Sequence, residues 1–341
     1  MTKSHMRREI EEIPSAVARL LETQRRPLAD AGAALREANP VMIATIARGS
    51  SDHATSFLKY AVELTAGIPV ASIGPSIASV YGRSLALRGC AAIVISQSGK
   101  SPDIVAMAEA ARQAGALTIG LTNTLDSPLA DAASIAIDLA AGEEKSVAAT
   151  KSFVNSVVAG LAVTAHATEN DRLLRALSAL PEQLEAAIAC DWSALGDVVN
   201  DAPSFYVLGR GPSLAIAQEA ALKFKETCGL HAEAYSSAEV VHGPARIVEN
   251  GFPVLALAAP DTAEQSIADV VDRLAGQGAR AFITSTKSKA GTPLPAVDTG
   301  DPITSALALV VSFYGFVEAL SRRRGFDPDR PPHLKKITET R

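Results

Sequence analysis

Ala91-Ala92-Ile93-Val94-Ile95-Ser96-Gln97-Ser98-Gly99-Lys100-Ser101-Pro102-Asp103 runs from an apolar segment through a hydroxyl-rich turn into a helix start. Five apolar residues in a row predict a strand buried on both faces, as in a parallel sheet. Pro102 suits a first helical turn and Ser101 the position before it. A strand that feeds a helix through such a turn predicts an open α/β sheet, whose ligands lie beyond the carboxyl ends of the strands. The three serines and the glycine before the helix exceed what capping requires. Hydroxyls, backbone N–H groups and the positive end of the helix dipole would converge on a small anion there.

Outward from this stretch the same alternation continues. Val41–Ala47, Val70–Ile73, Leu117–Leu121 and Ile135–Leu139 read as strands; Asp52–Thr65, Asp103–Gln113 and a long segment after Val147 read as helices. The second half repeats the order, with strands at Phe205–Gly209, Phe252–Ala258 and Ala279–Thr284 and helices at Leu214–Thr227 and Ala263–Ala275. Arg48-Gly49 matches Arg210-Gly211, Leu58-Lys59-Tyr60 matches Leu222-Lys223-Phe224, Gly67 matches Gly229 and Asp138 matches Asp298. A fixed offset of this kind marks a duplication. The expectation is an α/β protein of two similar doubly wound parallel-sheet domains in tandem. Its boundaries are an N-terminal helical cap over 1–35, domains at 36–169 and 201–325, a helical connection at 170–200 and a tail at 326–341. The copies differ where the second strand ends in Ala258-Ala259-Pro260-Asp261, without the serines.

Composition narrows the function. The 341 residues carry 32 basic and 37 acidic side chains and 4% aromatics, which gives no footprint for nucleic acid. Three distant cysteines, Cys90, Cys190 and Cys228, indicate neither a disulfide framework nor a metal cluster. Charged residues break any apolar run near the N-terminus, and Ile303–Leu320 carries Glu318, so it reads as a buried helix rather than a membrane span. A cytoplasmic protein is expected. Gly209-Arg210-Gly211 lacks the third glycine of a dinucleotide fingerprint.

Ser96-Gln97-Ser98-Gly99, Val147-Ala148-Ala149-Thr150-Lys151, Glu219-Ala220-Ala221-Leu222-Lys223-Phe224-Lys225-Glu226 and His231-Ala232-Glu233-Ala234-Tyr235 together resemble the sugar isomerase (SIS) superfamily. More narrowly they resemble the isomerase half of glutamine–fructose-6-phosphate aminotransferase, from Met6 to the His333-Leu334-Lys335-Lys336 tail. The resemblance implies flavodoxin-like domains. It implies a phosphate loop of Ser96, Gln97, Ser98 and Ser101 helped by Gly49, Ser50 and Ser51, and sugar contacts at Val147 and Ala149. It further implies a proton-shuttling Glu226, a ring-opening His242 contributed across a homodimer, a Schiff-base lysine at Lys336 and a further active-site lysine at Lys223.

The sequence departs from that pattern at Ala149, which replaces a sugar-contacting serine, at Ser101, which replaces a threonine, and at Arg48, which replaces a cysteine. The sequence shows no glutaminase segment and no cysteine at position two, which leads to the expectation that ammonia is released rather than captured. Moving a proton between carbons 1 and 2 needs a carboxylate over the carbon pair, and ring opening needs a group that transfers protons near neutrality. Glu226 read alone fits equally a helix surface residue paired with Lys223, three residues before it. The expected activity is conversion of glucosamine 6-phosphate to fructose 6-phosphate and ammonia, without metal or cofactor. The alternatives are an isomerising aminotransferase, a galactosamine-6-phosphate deaminase-isomerase and a non-catalytic sugar-phosphate sensor.

Overall fold

The computed structural model describes residues 3–336. The chain begins with three helices, α1 (His5–Glu11), α2 (Ile13–Thr23) and α3 (Arg25–Ala38). Then follow β1 (Ile43–Ile46), α4 (Gly49–Ala66), β2 (Val70–Ser72), the short α5 (Ser76–Ser79), β3 (Ala91–Ile95) and α6 (Pro102–Gln113). β4 (Leu117–Thr122), α7 (Pro128–Ala132), β5 (Ile135–Asp138) and α8 (Lys151–Ala167) complete the first half. After α9 (Asp171–Ile188) and α10 (Ser193–Val199) come β6 (Ser204–Gly209), α11 (Pro212–Cys228) and β7 (His231–Ser236). Two 3-10 turns, Val240–His242 and Pro244–Ile247, lead to β8 (Pro253–Ala256), α12 (Glu264–Gly276), β9 (Arg280–Ile283), β10 (Thr292–Pro293) and α13 (Pro302–Arg323).

The strands form two five-stranded sheets in the orders β2-β1-β3-β4-β5 and β10-β9-β8-β6-β7, parallel throughout. Read from the other edge, the second order is β7-β6-β8-β9-β10, so the two sheets share one topology. Each reverses direction between its first and third strands, where doubly wound sheets open a crevice for ligands. The expected α/β architecture of two doubly wound sheets is the observed one. Gly67 and Gly229, paired by the repeat, both end their helices in the left-handed conformation, at φ 66° and 59°. A side chain at such a position crowds the backbone, which is why the duplication keeps glycine at both.

Contacts divide the chain into two compact units. One holds Glu12–Glu144, Lys151–Pro181 and the tail from Lys335; the other holds the segment through Glu11, Lys145–Thr150 and Glu182–Leu334. In the first, Ala44, Ile46, Ala92 and Val94 of the sheet pack against Ile104, Met107 and Ala108 of α6. In the second, Leu208, Val254 and Ala256 pack against Ile267, Val271 and Leu274 of α12. α13 is long and apolar enough to cross a membrane, but 89% of its most apolar window is buried in the protein. A helix that is apolar all round is a core helix when protein surrounds it.

Several local readings shift. α4 starts at Gly49, so Ser50 and Ser51 belong to its first turn rather than to a free turn before it. Ser101 stands at the N-cap of α6, yet its side chain makes no capping hydrogen bond, which leaves the hydroxyl for another partner. The segment His231–Ser236 is a strand that the sequence reading did not draw. It lies at the sheet edge with much of its length exposed, so it lacks the apolar run that marks a central strand.

Candidate functional site

In the first unit β3 delivers Ser96 to the carboxyl edge of the sheet, and the loop through Ser101 bends back under its own carbonyls. Gly99 N–H donates to Ser96 O at 3.2 Å, Asn123 N–H to Gln97 O at 3.1 Å and Leu129 N–H to Gly99 O at 3.0 Å. These bonds engage the carbonyls of Ser96, Gln97 and Gly99. Among the described residues the N–H groups of Gln97 and Ser98 and the hydroxyls of Ser96 and Ser101 donate to no protein group. Gly99 has φ 65°, and a Cβ there would run into the Ser127 hydroxyl. Both facts demand glycine. That Ser127 hydroxyl is itself buried and without a protein partner.

Arg48, absent from the resembled pattern, has a place in this geometry. Its Nε donates to the buried carboxylate of Asp103 at 3.0 Å. The pair ties the β1–α4 turn to the first turn of α6, so the N-termini of both helices are held at the switch between β1 and β3. It also offsets an acidic charge that would repel an anion there.

Beside the loop is a cavity of about 640 Å³, bordered by Gln97, Asn123, Asp138, Glu143, Glu144 and Arg19 among others. Asn123 fixes its far wall, accepting from Ala141 N–H and donating to Gly142 O, both at 2.8 Å. Glu144 is fully buried and accepts from the Lys336 ammonium at 2.9 Å. The unit therefore brings Gln97 of the serine-rich loop and Glu144, the carboxylate paired with Lys336, to one cavity. Asn123, Asp138 and Glu144 were missed as site residues. Asn123 and Asp138 sit at or just past a strand end, a location the sequence marks, and Glu144 lies in the segment between β5 and α8, but nothing local in the sequence says which of these positions share a cavity.

In the second unit, α11 carries a buried charge cluster. Lys223, fully buried, lies 3.0 Å from the equally buried Glu219 and 2.7 Å from Glu226, whose side chain keeps 22% of its surface exposed. Tyr314 of α13 donates to Glu219 at 3.0 Å. Burial alone pushes the Lys223 ammonium toward its neutral form, but the Glu219 and Glu226 carboxylates outweigh it and raise its pKa above the ordinary 10.5. Lys223 is thus a fixed positive charge, unsuited to nucleophilic attack, which requires a free amine. Glu226 is the cluster's accessible end.

His242 ends the first 3-10 turn, is exposed, and its ring makes no hydrogen bond or ion pair among the described residues. No hydrogen bond joins it to Glu226 of the same unit among the described residues. Val147 and Ala149 are half-buried, and Val147 N–H donates to Asp329 O at 3.3 Å. Lys151, which follows them, is 98% buried structure rather than site: only 2% of its side chain is exposed, paired with Glu12.

The family model for the SIS domain matches residues 35–166 and 199–294. A crystal structure of a protein from Silicibacter pomeroyi DSS-3, provisionally named a phosphosugar isomerase, shares 52% identity. Its TM-score is 0.93, with 96% of this chain and 100% of that one covered. The glutamine–fructose-6-phosphate aminotransferase (isomerizing) of Pyrobaculum aerophilum is 31% identical over 345 residues, 96% of this chain and 55% of that protein. The chain spans about half the length of the curated relatives it matches. A glucosamine-6-phosphate deaminase from Thermotoga maritima has the same fold, with a TM-score of 0.78 at 20% identity over 99% of this chain and 100% of that one. Both sheets fall within the matched segments, and the chain belongs to the SIS-domain family, with two matched segments in tandem.

Proposed function

We propose that the protein acts on a hexosamine 6-phosphate, converting glucosamine 6-phosphate to fructose 6-phosphate and ammonia. The observation that carries this reading is the cavity bordered by both the serine-rich loop and Glu144, the carboxylate that holds the Lys336 amine. An anion grip beside an amine suits a phosphorylated sugar with a reactive carbonyl. The substrate's phosphate is held by Ser96, Gln97, Ser98 and Ser101 with the first turn of α4 at Gly49, Ser50 and Ser51.

The chemistry runs in three steps. His242 of a second subunit moves a proton as the pyranose ring opens to the 2-amino aldose. Glu226 takes the proton from carbon 2 and returns it to carbon 1, while a proton passes from the amine nitrogen to oxygen 1, leaving an imine at carbon 2 and a hydroxyl at carbon 1. Water then adds to that carbon and ammonia departs, with Lys336 able to displace ammonia first as a transient imine. Val147 and Ala149 border the sugar. Each atom is accounted for without an external oxidant or reductant.

The test is to incubate the protein with glucosamine 6-phosphate alone and assay ammonia and fructose 6-phosphate together. Equal appearance of both supports the reading. Release from galactosamine 6-phosphate only would reassign the epimer, and silence with both while binding persists would indicate a sensor. A second reading, amination of fructose 6-phosphate, is favoured by the aminotransferase names of the curated relatives. Consumption of fructose 6-phosphate with ammonia or glutamine, and no release, would establish it.

A further inference from the structure

The side chain of Glu144 is wholly buried, although it belongs to a polar cavity wall. Its carboxylate is oriented from the first turn of α8. Ser152 Oγ donates to Oε2 at 2.7 Å and Ser152 N–H to Oε1 at 3.2 Å, at a helix N-terminus that favours negative charge. The Lys336 ammonium donates to the same Oε2 at 2.9 Å from 192 residues away in sequence. Lys336 keeps a quarter of its side chain exposed, whereas Glu144 keeps none. The carboxylate is thus the fixed partner and the tail lysine the docked one.

We infer that Glu144 is a positioning residue that docks the C-terminal segment through Lys336 and so holds its amine at the cavity beside the serine loop. A buried carboxylate with two donors already in place is a built receptor for one further cation, and a tail reaching it loses its freedom to swing away from the cavity. The docking stands on the contacts above; its catalytic consequence rests on the proposed role of Lys336. The ammonium would first pass a proton to Glu144, and the free amine would add to a ketose carbonyl, losing water to give an imine; docking would set how often it does so.

Two readouts separate these parts in Glu144→Gln and, should that variant fold poorly, in Ser152→Ala, which removes a donor that orients the carboxylate. The first is endoproteinase Lys-C cleavage after Lys336. Where opening is fast, cleavage follows the undocked fraction, so Glu144→Gln should be cut at least about tenfold faster than wild type. The second is borohydride reduction in the presence of fructose 6-phosphate, with the adduct located by mass spectrometry. Wild type should be labelled at Lys336 and Glu144→Gln at least about tenfold less, both at saturating fructose 6-phosphate. Faster cleavage without any wild-type label would uphold the docking and overturn the imine role of Lys336. Unchanged cleavage, or unchanged label on a labelled wild type, would overturn the inference.

Discussion

The Lys223 ammonium lies 2.7 Å from Oε2 of Glu226, and of the two only the carboxylate reaches the surface. One face of the ion pair is sealed by Glu219 and Tyr314, so Glu226 projects from a rigid, charged foundation. The arrangement satisfies the pairing that sequence spacing alone suggests, and it leaves an oxygen side available to solvent. Pairing and catalysis are therefore compatible roles for one carboxylate.

Glu226→Gln should preserve the fold, because the amide can still accept from Lys223, while turnover falls at least ~10²-fold as the proton acceptor is lost. Coupled assay of fructose 6-phosphate, with thermal unfolding as the control, checks this. Near-normal turnover would remove Glu226 from the reaction.

Lys223→Met should destabilise the protein by about 3–5 kcal/mol at neutral pH, since it leaves Glu219 buried without its cation. The folded pKa of Lys223 is raised above 10.5, so its contribution is complete below that pH and is lost as pH climbs through the folded value. Urea midpoints measured against pH should show the gap between wild type and variant narrowing as pH rises past that point, and also in acid, where protonating the carboxylates removes the uncompensated buried charge. A gap unchanged across both ranges would contradict the assignment.

Gly99→Ala should cost about 1–3 kcal/mol, from the left-handed backbone and from overpacking against the Ser127 hydroxyl. Because the loop must move to relieve the contact, hexose 6-phosphate binding should weaken by about tenfold, about 1.4 kcal/mol, in calorimetric titration. Binding at the wild-type level would show that the anion is held elsewhere.

If His242 serves the partner's site, a mixture of the inactive His242→Asn and Glu226→Gln variants, refolded together, should regain about a quarter of wild-type activity. Half of the dimers are then hybrids with one intact site of two. Light scattering should give a dimer. No recovery, or an active monomer, would return His242 to its own subunit or remove it from the reaction.

What the sequence determined by itself was the architecture and the loop. Central parallel strands such as Ala91–Ile95 are buried on both faces, so each announces itself as an unbroken apolar run with turn residues at its end. The serines and Gly99 are likewise contiguous, and a site made from neighbours in the chain can be read along it. The edge strand β7 escaped because exposure relaxes the demand for apolar residues. Tertiary structure alone decided the rest. Whether Glu144 meets Lys336, and whether Tyr314 of one helix closes over Glu219 of another, depends on contacts 192 and 95 residues apart. Such pairs leave no periodic trace, because a buried charge needs only one suitable partner in space and sets no requirement on its chain neighbours.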